Sequence, residues 1–285
     1  MRRVFTSNRA LFTGAVCGAA TILGSARAGA QVVLNEDFDS SIPAAIAPGV
    51  ATLTGDQGYA GLGHSGYQFG GQFLRSPTGN TITVTLTGLP PHTALNLDFL
   101  FAAIDSLDGT GTYPEGDFFH VELDGVMFFR ESFANATATQ IQSYIPAPGV
   151  ELARRVDLGF SGPGGYYTDS AYDMSLEPRF HHLPHTAPTA VFTFLIEGPG
   201  IQPLDDESWA MDNLRISVEG GCGSADFNCD GDLGTDADIE AFFACLAGAC
   251  PAAPCTSRAD FNGDGDIGTD ADIEAFFRVL GGGGC

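Results

Sequence analysis

The stretch ADFNCDGDLGTDADIEAFFACLAG, residues 225–248, recurs as ADFNGDGDIGTDADIEAFFRVLGG at residues 259–282, and the two copies are identical at 19 of 24 positions. Each copy opens on Asp-x-Asn-x-Asp-Gly, which places three side-chain oxygens on alternate residues of a short loop. A hard cation such as Ca²⁺ prefers such oxygens, and the glycine permits the sharp turn. An apolar stripe at helical spacing follows each loop. The repeat therefore predicts two calcium loops, each joined to one amphipathic helix.

The predicted ligands lie at loop positions 1, 3, 5 and 7, with one further acid at the start of the helix. Two acids compete for this last place in each loop: Asp236 or Asp238, and Asp270 or Asp272. The later acid of each pair is favoured, because an acid beside the apolar stripe can cap the helix and bind the ion together. The predicted ligand set is Asp226, Asn228, Asp230, Asp232, Asp238, Asp260, Asn262, Asp264, Asp266 and Asp272.

The alternative for this segment is an acidic linker that holds no ion. Two near-identical copies, each joined to an amphipathic helix, argue against it. Two short helices bury little surface, and the twelve carboxylates of the two copies repel one another unless cations are present. Calcium, helped by disulfides, is expected to supply the stability that the small core lacks.

Residues 1–30 have the features of an export signal. Arg2 and Arg3 precede a short apolar stretch, Leu11 to Leu23, and Ala28-Gly29-Ala30 offers a cleavage site. The apolar stretch is short for a membrane span, and a retained N-terminal anchor is the alternative. We therefore expect a secreted protein, extracellular or held at the cell surface, with no membrane span once the signal is cleaved.

The charge balance bears on the kinds of partner. Four of the twelve basic residues lie in the predicted signal, so its removal leaves eight basic against 35 acidic residues, a net charge of −27. Such a surface repels a phosphate backbone, so nucleic acid is excluded as an expected partner.

The cysteines agree with export. Cys17 lies in the predicted signal, and an even number crowd the last 64 residues, which is typical of disulfides in a small exported module. Fifteen pairings are open. A zinc site is the alternative, but no Cys-x-x-Cys pair is present. The six are Cys222, Cys229, Cys245, Cys250, Cys255 and Cys285.

Between the signal and the repeats the pattern is that of strands. Ile82, Val84 and Leu86 alternate with threonines, and similar runs lie at residues 95–101, 119–123 and 192–196. Period-two runs separated by Gly, Pro and Asp predict a mainly β chain with an antiparallel β-sandwich over residues 31–218. The small α-helical module with six cysteines is expected at residues 219–285. Residues 159–188 are read as a long loop or a loosely paired excursion.

The duplicated loop–helix unit resembles the dockerin type I repeat. The resemblance covers residues 225–282 and implies a Ca²⁺-folded docking module that binds a cohesin-like receptor and attaches the protein to a scaffold or surface. In that family the residues just before the helix face the partner, which here correspond to Thr235, Asp236, Thr269 and Asp270. This chain departs from that family in two ways: each loop is one residue longer before its final acid, and six cysteines are not typical.

The ends of the predicted sandwich are similar to those of jelly-roll, lectin-like and carbohydrate-binding modules. That resemblance implies a polysaccharide ligand, and it makes a third calcium ion an open alternative to solvated edge charges. Trp209 is expected to be a core anchor rather than a sugar platform. The candidates for the third ion are Glu36, Asp37, Asp39 and Asp212, and those for a sugar platform are Tyr166, Tyr167, Tyr172, Asp169 and Asp173.

One strand carries the residues that would support an enzyme instead of a binding protein. His120, Glu122 and Asp124 share one face of a predicted strand, and glycosidases need two carboxyls at a controlled separation. Family 16 sandwich glycosidases carry Glu-x-Asp-x-x-Glu on such a strand, but Met127 stands at the last position here. His181, His182 and His185 resemble a metal site only loosely. The expectation is a non-catalytic protein; the alternatives are an extracellular polysaccharide hydrolase and a structural surface protein.

Overall fold

The computed structural model describes residues 31–90, 92–110, 116–160, 167–252, 255, 257–263 and 266–283. These residues form fifteen strands and two α-helices. The strands are β1 Gln31–Glu36, β2 Ile46–Ala47, β3 Thr52–Gly55, β4 Gly63–His64, β5 Tyr67–Gln68, β6 Gln72–Pro77, β7 Thr81–Thr87, β8 Ala94–Asp105, β9 Phe118–Leu123, β10 Val126–Ser132, β11 Glu151–Val156, β12 Asp169–Asp173, β13 Leu183–Pro184, β14 Thr189–Glu197 and β15 Glu207–Glu219. The helices are α1 Asp236–Leu246 and α2 Asp270–Leu280.

The described strands form two antiparallel sheets and a short hairpin. The eight-stranded sheet has the order β11-β12-β8-β15-β6-β3, with β1 paired to β15 and β13 paired to β8. The five-stranded sheet has the order β10-β9-β14-β7-β2, and β4 pairs with β5. The first and last strands are neighbours, with Leu34 opposite Ile216. The chain is therefore mainly β, as the alternating patterns predict.

The main core lies between the two sheets. Ile82, Val84 and Leu86 of β7 point into it while the threonines between them face outward, so the period-two pattern follows from burial of one face. Strand β8 differs, because nearly all of its residues are buried. A second apolar cluster, around Tyr59 and Phe73, covers the outer face of this strand. A strand covered on both faces carries no alternation.

Aromatic side chains fill the centre of the sandwich. The rings of Phe101 and Phe119, from opposite sheets, lie 4.4 Å apart between centroids. Trp209 is 0% exposed and lies 5.3 Å from Phe119. The expectation that Trp209 anchors the core is confirmed.

The two helices pack on a separate small core. Phe242 of α1 and Phe276 of α2 stack with centroids 4.1 Å apart and planes 13° apart, and the loop residues Phe227 and Phe261 close over them. Disulfides join Cys229 to Cys255 and Cys245 to Cys250, and Cys222 is also disulfide-bonded. Cys285 lies outside the described residues. Neither described helix is long and apolar enough to cross a bilayer.

The prediction of a long loop or a loosely paired excursion over residues 159–188 is wrong for residues 169–173, which form strand β12. Strand β12 pairs with β8 inside the large sheet, and all five of its residues are buried. Tyr172 is 0% exposed and its hydroxyl donates to Gln142 Oε1, so it cannot be part of a sugar platform. Tyr166 lies outside the described residues.

Candidate metal centres

The first C-terminal loop brings three of its predicted ligands, Asp226, Asn228 and Asp230, together in one turn. The Asp226 carboxylate accepts hydrogen bonds from the backbone amides of Asp230 and Gly231, each at 3.0 Å. The Asn228 side-chain oxygen accepts from the same Asp230 amide at 3.0 Å, and its amide donates to Asp230 Oδ2 at 2.8 Å. The backbone amide of Asp232 donates to Asp230 Oδ1 at 2.9 Å. The oxygens at positions 1, 3 and 5 therefore converge on one short segment.

The second loop begins in the same way but is described only in part. Asp260, Asn262 and Asp266 lie within the described residues, whereas Asp264 lies outside them with Gly265. The assignment of these side chains as ligands stays a prediction.

The acids favoured as the last ligand are buried at the start of each helix. Asp238 Oδ1 accepts from the backbone amides of Phe227 at 2.7 Å and Asn228 at 3.2 Å. Asp238 Oδ2 accepts from the backbone amide of Thr235 at 2.8 Å and from its hydroxyl at 2.9 Å. Burial raises the pKa of Asp238, but these donors outweigh it and the pKa lies below its ordinary value.

Asp272 makes the equivalent contacts in the second copy. Its carboxylate accepts from the backbone amides of Phe261 at 2.7 Å and Asn262 at 3.2 Å, and from the amide and hydroxyl of Thr269 at 2.7 and 3.0 Å. A carboxylate has about four lone-pair positions, so protein donors occupy all four in each copy. Asp236 and Asp270, the competing acids, occupy the first position of each helix and remain open to solvent.

The sandwich contains a second acidic group that the sequence did not predict. Each of Asp108, Asp117 and Glu207 offers one carboxylate oxygen, and these oxygens lie within 4.8 Å of one another. Asp108 follows the end of β8, Asp117 immediately precedes β9, and Glu207 is the first residue of β15. Acids from both sheets therefore meet at one end of the sandwich. We call these three residues the acidic triad.

The triad is buried and crowded with negative charge. Asp117 and Glu207 are 0% exposed and Asp108 is 8% exposed. Burial, with the charges of Asp117 and Asp108 in addition, raises the pKa of Glu207 to about 9. Burial and the nearby Asp108 raise the pKa of Asp117 to about 6, and burial also raises the pKa of Asp108. Three carboxylates so placed can hold a metal ion.

Neutral donors surround the triad. Gln202 donates to Glu207 through its backbone amide at 2.9 Å and its side-chain amide at 3.0 Å. Gln140 Nε2 donates to Asp108 Oδ1, and the backbone amide of Asp108 donates to Asp117 Oδ2, each at 2.5 Å. Asp117 Oδ1 is buried and has no hydrogen-bond partner among the described residues.

Sequence spacing provides little signal for this site. Asp108 and Asp117 are nine residues apart with no recognisable ligand spacing, and Glu207 lies far along the chain. The available signal is the acidic run Asp205-Asp206-Glu207, whose last residue is the first residue of the central strand β15.

The four acids predicted as candidates for a third ion do not come together. Across the described residues, the acidic triad is the one group of three His, Cys, Asp or Glu side chains whose ligand atoms lie close together, and it contains none of the four predicted acids. Asp212 instead accepts from the Gly70 amide at 3.2 Å, and Asp39 accepts from the Gln72 amide at 2.9 Å. Both carboxylates hold the backbone of the strand β6 region.

The predicted histidine cluster does not converge either. His181 contacts Asp98 at 2.9 Å, and His182 contacts Glu219 at 2.6 Å. His185 contacts His92 and Asp124 instead. The three histidines therefore face different partners.

Two of the three candidate catalytic residues on or next to β9 make contacts with neighbouring side chains or backbone. Asp124 lies in the turn after β9, where its carboxylate accepts from the Val191 amide at 2.8 Å and contacts His185 at 3.1 Å. His120 is buried and lies 3.5 Å from Glu197. Glu122 lies on β9 opposite Thr193 and is half-buried. Asp124 thus stabilises the turn.

Comparison with known proteins gives no family. No protein-family model and no curated protein matches the chain. A family 35 carbohydrate binding module from Clostridium thermocellum superposes with 11% identity and a TM-score of 0.29, over 65% of this chain and 99% of that one. The Agl-KA catalytic domain superposes with 17% identity and a TM-score of 0.31, over 78% of this chain and 36% of that one.

The chain spans only part of the enzymes that it resembles. It covers 17% of the GH115 4-O-methyl-α-glucuronidase BtGH115A, with 12% identity, a TM-score of 0.29 and 65% of this chain superposed. TM-scores this low do not establish a shared fold, so no ligand or activity is carried over from these proteins.

Proposed function

We propose that this chain is an exported, non-catalytic calcium-binding protein whose C-terminal repeats each hold one Ca²⁺ ion. The observation that carries the proposal is the convergence of Asp226, Asn228 and Asp230 on one turn, in a loop that the chain repeats almost unchanged. In this proposal the dockerin-like module attaches the protein to a cohesin-like receptor or a surface scaffold. The sandwich contacts carbohydrate or another surface polymer.

Calcium fits these loops better than a softer metal does. The converging side chains offer only carboxylate and amide oxygens, which hard cations prefer, and no histidine lies beyond His185. Two ions would offset part of the net charge of −27 that remains without the signal. Since the module core has few buried side chains, ion binding would also contribute folding free energy.

An exposed apolar patch supports the attachment role. Phe243 of α1 and Phe277 of α2 are equivalent residues, 45% and 44% exposed, and their ring centroids lie 6.3 Å apart. Leu233 and Ile267, also equivalent, are both 73% exposed. Large apolar side chains that both copies expose at the same positions are typical of a contact surface.

Chelation of the full chain tests the calcium proposal. Both described α-helices follow the repeated loops, so the far-UV helical signal reports on this module. We expect EDTA to reduce that signal and added Ca²⁺ to restore it, while the near-UV signal of Trp209 in the sandwich persists. The D226N/D260N double variant should show the low signal without chelator, and the exposed-acid variant D37N should behave as the wild type. An unchanged helical signal in EDTA overturns the proposal.

A glycan array run beside a reducing-sugar assay tests the sandwich. We expect retention of the chain on a polysaccharide and no release of sugar. Sugar release that E122Q abolishes would instead establish the hydrolase alternative. If the chain shows neither polysaccharide binding nor sugar release, the result favours the alternative of a structural surface protein. The calcium result does not depend on this outcome.

A further inference from the structure

The acidic triad poses an electrostatic problem that the described residues do not solve. Burying a carboxylate is costly unless an opposite charge or a full set of donors compensates for it. Among the described residues, neither Asp117 nor Glu207 forms an ion pair with an arginine or histidine. The partners of Glu207 are the neutral amide groups of Gln202. Among the described residues, no cationic side chain therefore compensates the charge of Asp117 or Glu207 when these carboxyls are ionised.

One oxygen of the triad also lacks a hydrogen-bond partner among the described residues. Asp117 is 0% exposed, and its Oδ2 accepts from the Asp108 amide, yet its Oδ1 accepts no hydrogen bond from the part of the chain that the structure describes. Buried polar atoms are rarely left in this state without a water, an ion or a ligand. This orphaned oxygen is an observation separate from the clustering of the acids, and it points to something bound.

We infer that Asp108, Asp117 and Glu207 bind a third Ca²⁺ ion within the sandwich. All three ligands are carboxylates, the donors that hard divalent cations prefer. Oxygen atoms within 4.8 Å of one another can all reach a central ion at the 2.3–2.6 Å typical of calcium. Calcium also tolerates the irregular geometry that acids from three separate segments provide, whereas Mg²⁺ demands a near-ideal octahedron.

The position of this ion gives it a structural role. Glu207 opens β15 in the eight-stranded sheet, and Asp117 immediately precedes β9 in the five-stranded sheet. Asp108 lies in the connection that leads from β8 to β9. The ion thus joins the two sheets at the end of the sandwich where the chain passes from β8 in one sheet to β9 in the other. The site involves no residue of the C-terminal repeats, so the test of this site is independent of the test of the function proposed above.

Terbium luminescence can observe this site alone. Tb³⁺ replaces Ca²⁺ at oxygen sites and emits when a nearby tryptophan transfers energy to it. Trp209, the single tryptophan, lies two residues after Glu207 on β15, at a Cα separation of about 7 Å from the strand rise. Residues 219–285 contain no tryptophan or tyrosine. Tb³⁺ bound in the C-terminal loops therefore has no tryptophan or tyrosine within its own module to sensitise its emission.

The experiment uses the full chain and two paired variants. We expect saturable, tryptophan-sensitised Tb³⁺ emission that excess Ca²⁺ displaces and equal Mg²⁺ does not. D117N/E207Q should lose that emission, whereas D226N/D260N should keep it. D205N, which alters an exposed acid two residues from Glu207, serves as the matched control and should also keep it.

The outcomes decide between the possibilities. Absence of saturable emission from the wild type, or emission that D117N/E207Q retains, overturns the site. Displacement by Mg²⁺ as readily as by Ca²⁺ overturns the choice of calcium. If D117N/E207Q does not fold, thermal unfolding of D226N/D260N tests the site instead. Ca²⁺ should raise the melting temperature of D226N/D260N, and adding the single change E207Q to that variant should remove the rise. A melting temperature indifferent to Ca²⁺ in D226N/D260N overturns the inference.

Discussion

The backbone amide of Phe227 donates a 2.7 Å hydrogen bond to the carboxylate of Asp238, eleven residues later, and Phe261 makes the same bond to Asp272 at the same distance. Each bond closes a loop onto the first turn of the helix that follows it. Because the aromatic ring of the same loop residue packs between the helices, the bond also fixes the small core. The repeat therefore preserves a loop closure as well as a ligand pattern.

Loss of this closure should destabilise the module. D238N removes a charged acceptor that serves Phe227, Asn228 and Thr235, and an amide oxygen cannot replace all four bonds. We expect a loss of about 0.5–2 kcal/mol of unfolding free energy, the range for removing a side chain that caps a helix N-terminus. Urea unfolding followed by the helical signal measures it.

The neighbouring acid is the matched control for this prediction. Asp236 is exposed in the same helical turn, so D236N should leave the stability of the Ca²⁺-loaded module within about 0.5 kcal/mol of the wild type. A Ca²⁺ titration of the same two variants also shows which acid completes the loop. If D236N weakens Ca²⁺ binding more than D238N does, the assignment of Asp238 as ligand is wrong.

The two described disulfides should contribute unequally. The Cys229–Cys255 bond spans 26 residues and Cys245–Cys250 spans 5. The chain-entropy model then gives about 3.5 kcal/mol for the longer loop and about 2 kcal/mol for the shorter one. The C229S/C255S and C245S/C250S variants, unfolded in urea at saturating Ca²⁺, test this order. Equal losses would contradict it.

Stability should fall with rising pH because of Asp212. Burial, and beyond it the nearby Asp39 and Asp56, raises the pKa of Asp212 from 3.8 to about 7. An acid whose folded pKa is raised contributes stability below its unfolded pKa and loses it as pH rises through the folded pKa. The window is therefore roughly pH 4 to 7.

D212N removes this titration and leaves a similar shape. With rising pH, D212N should become more stable than the wild type. At about 1.4 kcal/mol per pKa unit, the difference in unfolding free energy should reach at most roughly 4 kcal/mol at pH 8. The measurement is thermal unfolding in chelator, followed by Trp209 fluorescence. The control is D37N, an exposed acid nearby. Parallel pH profiles for D212N and the wild type would show that Asp212 does not titrate in this window.

The stacked pair Phe242 and Phe276 should be energetically coupled. Their centroids are 4.1 Å apart, and both side chains are 0% exposed. A double-mutant cycle with F242L and F276L should give a coupling of about 0.5–1.5 kcal/mol. The same cycle at Phe243 and Phe277 is the control. Those rings are half-exposed and 6.3 Å apart, so we expect a smaller value.

Local patterns predicted much of the fold. Strand β7 could be read because burial of a single face imposes alternation on Ile82, Val84 and Leu86. The helices could be placed because each carries an acid at its start and an apolar stripe along one side. Strand β12 was missed, since all five of its residues, including two aspartates, are buried and no alternation remains.

The same distinction between local pattern and tertiary packing applies to the candidate metal sites. The ligands of the C-terminal loops lie within thirteen residues of one another, so their spacing alone indicates a cation. The acidic triad has no such spacing. Asp108 and Asp117 lie on either side of a loop, and Glu207 joins them only because β15 is the neighbour of β8 in the sheet. Sequence determines what neighbouring residues can bind, whereas the packing of two sheets decided which distant acids share a buried space and need a counter-ion.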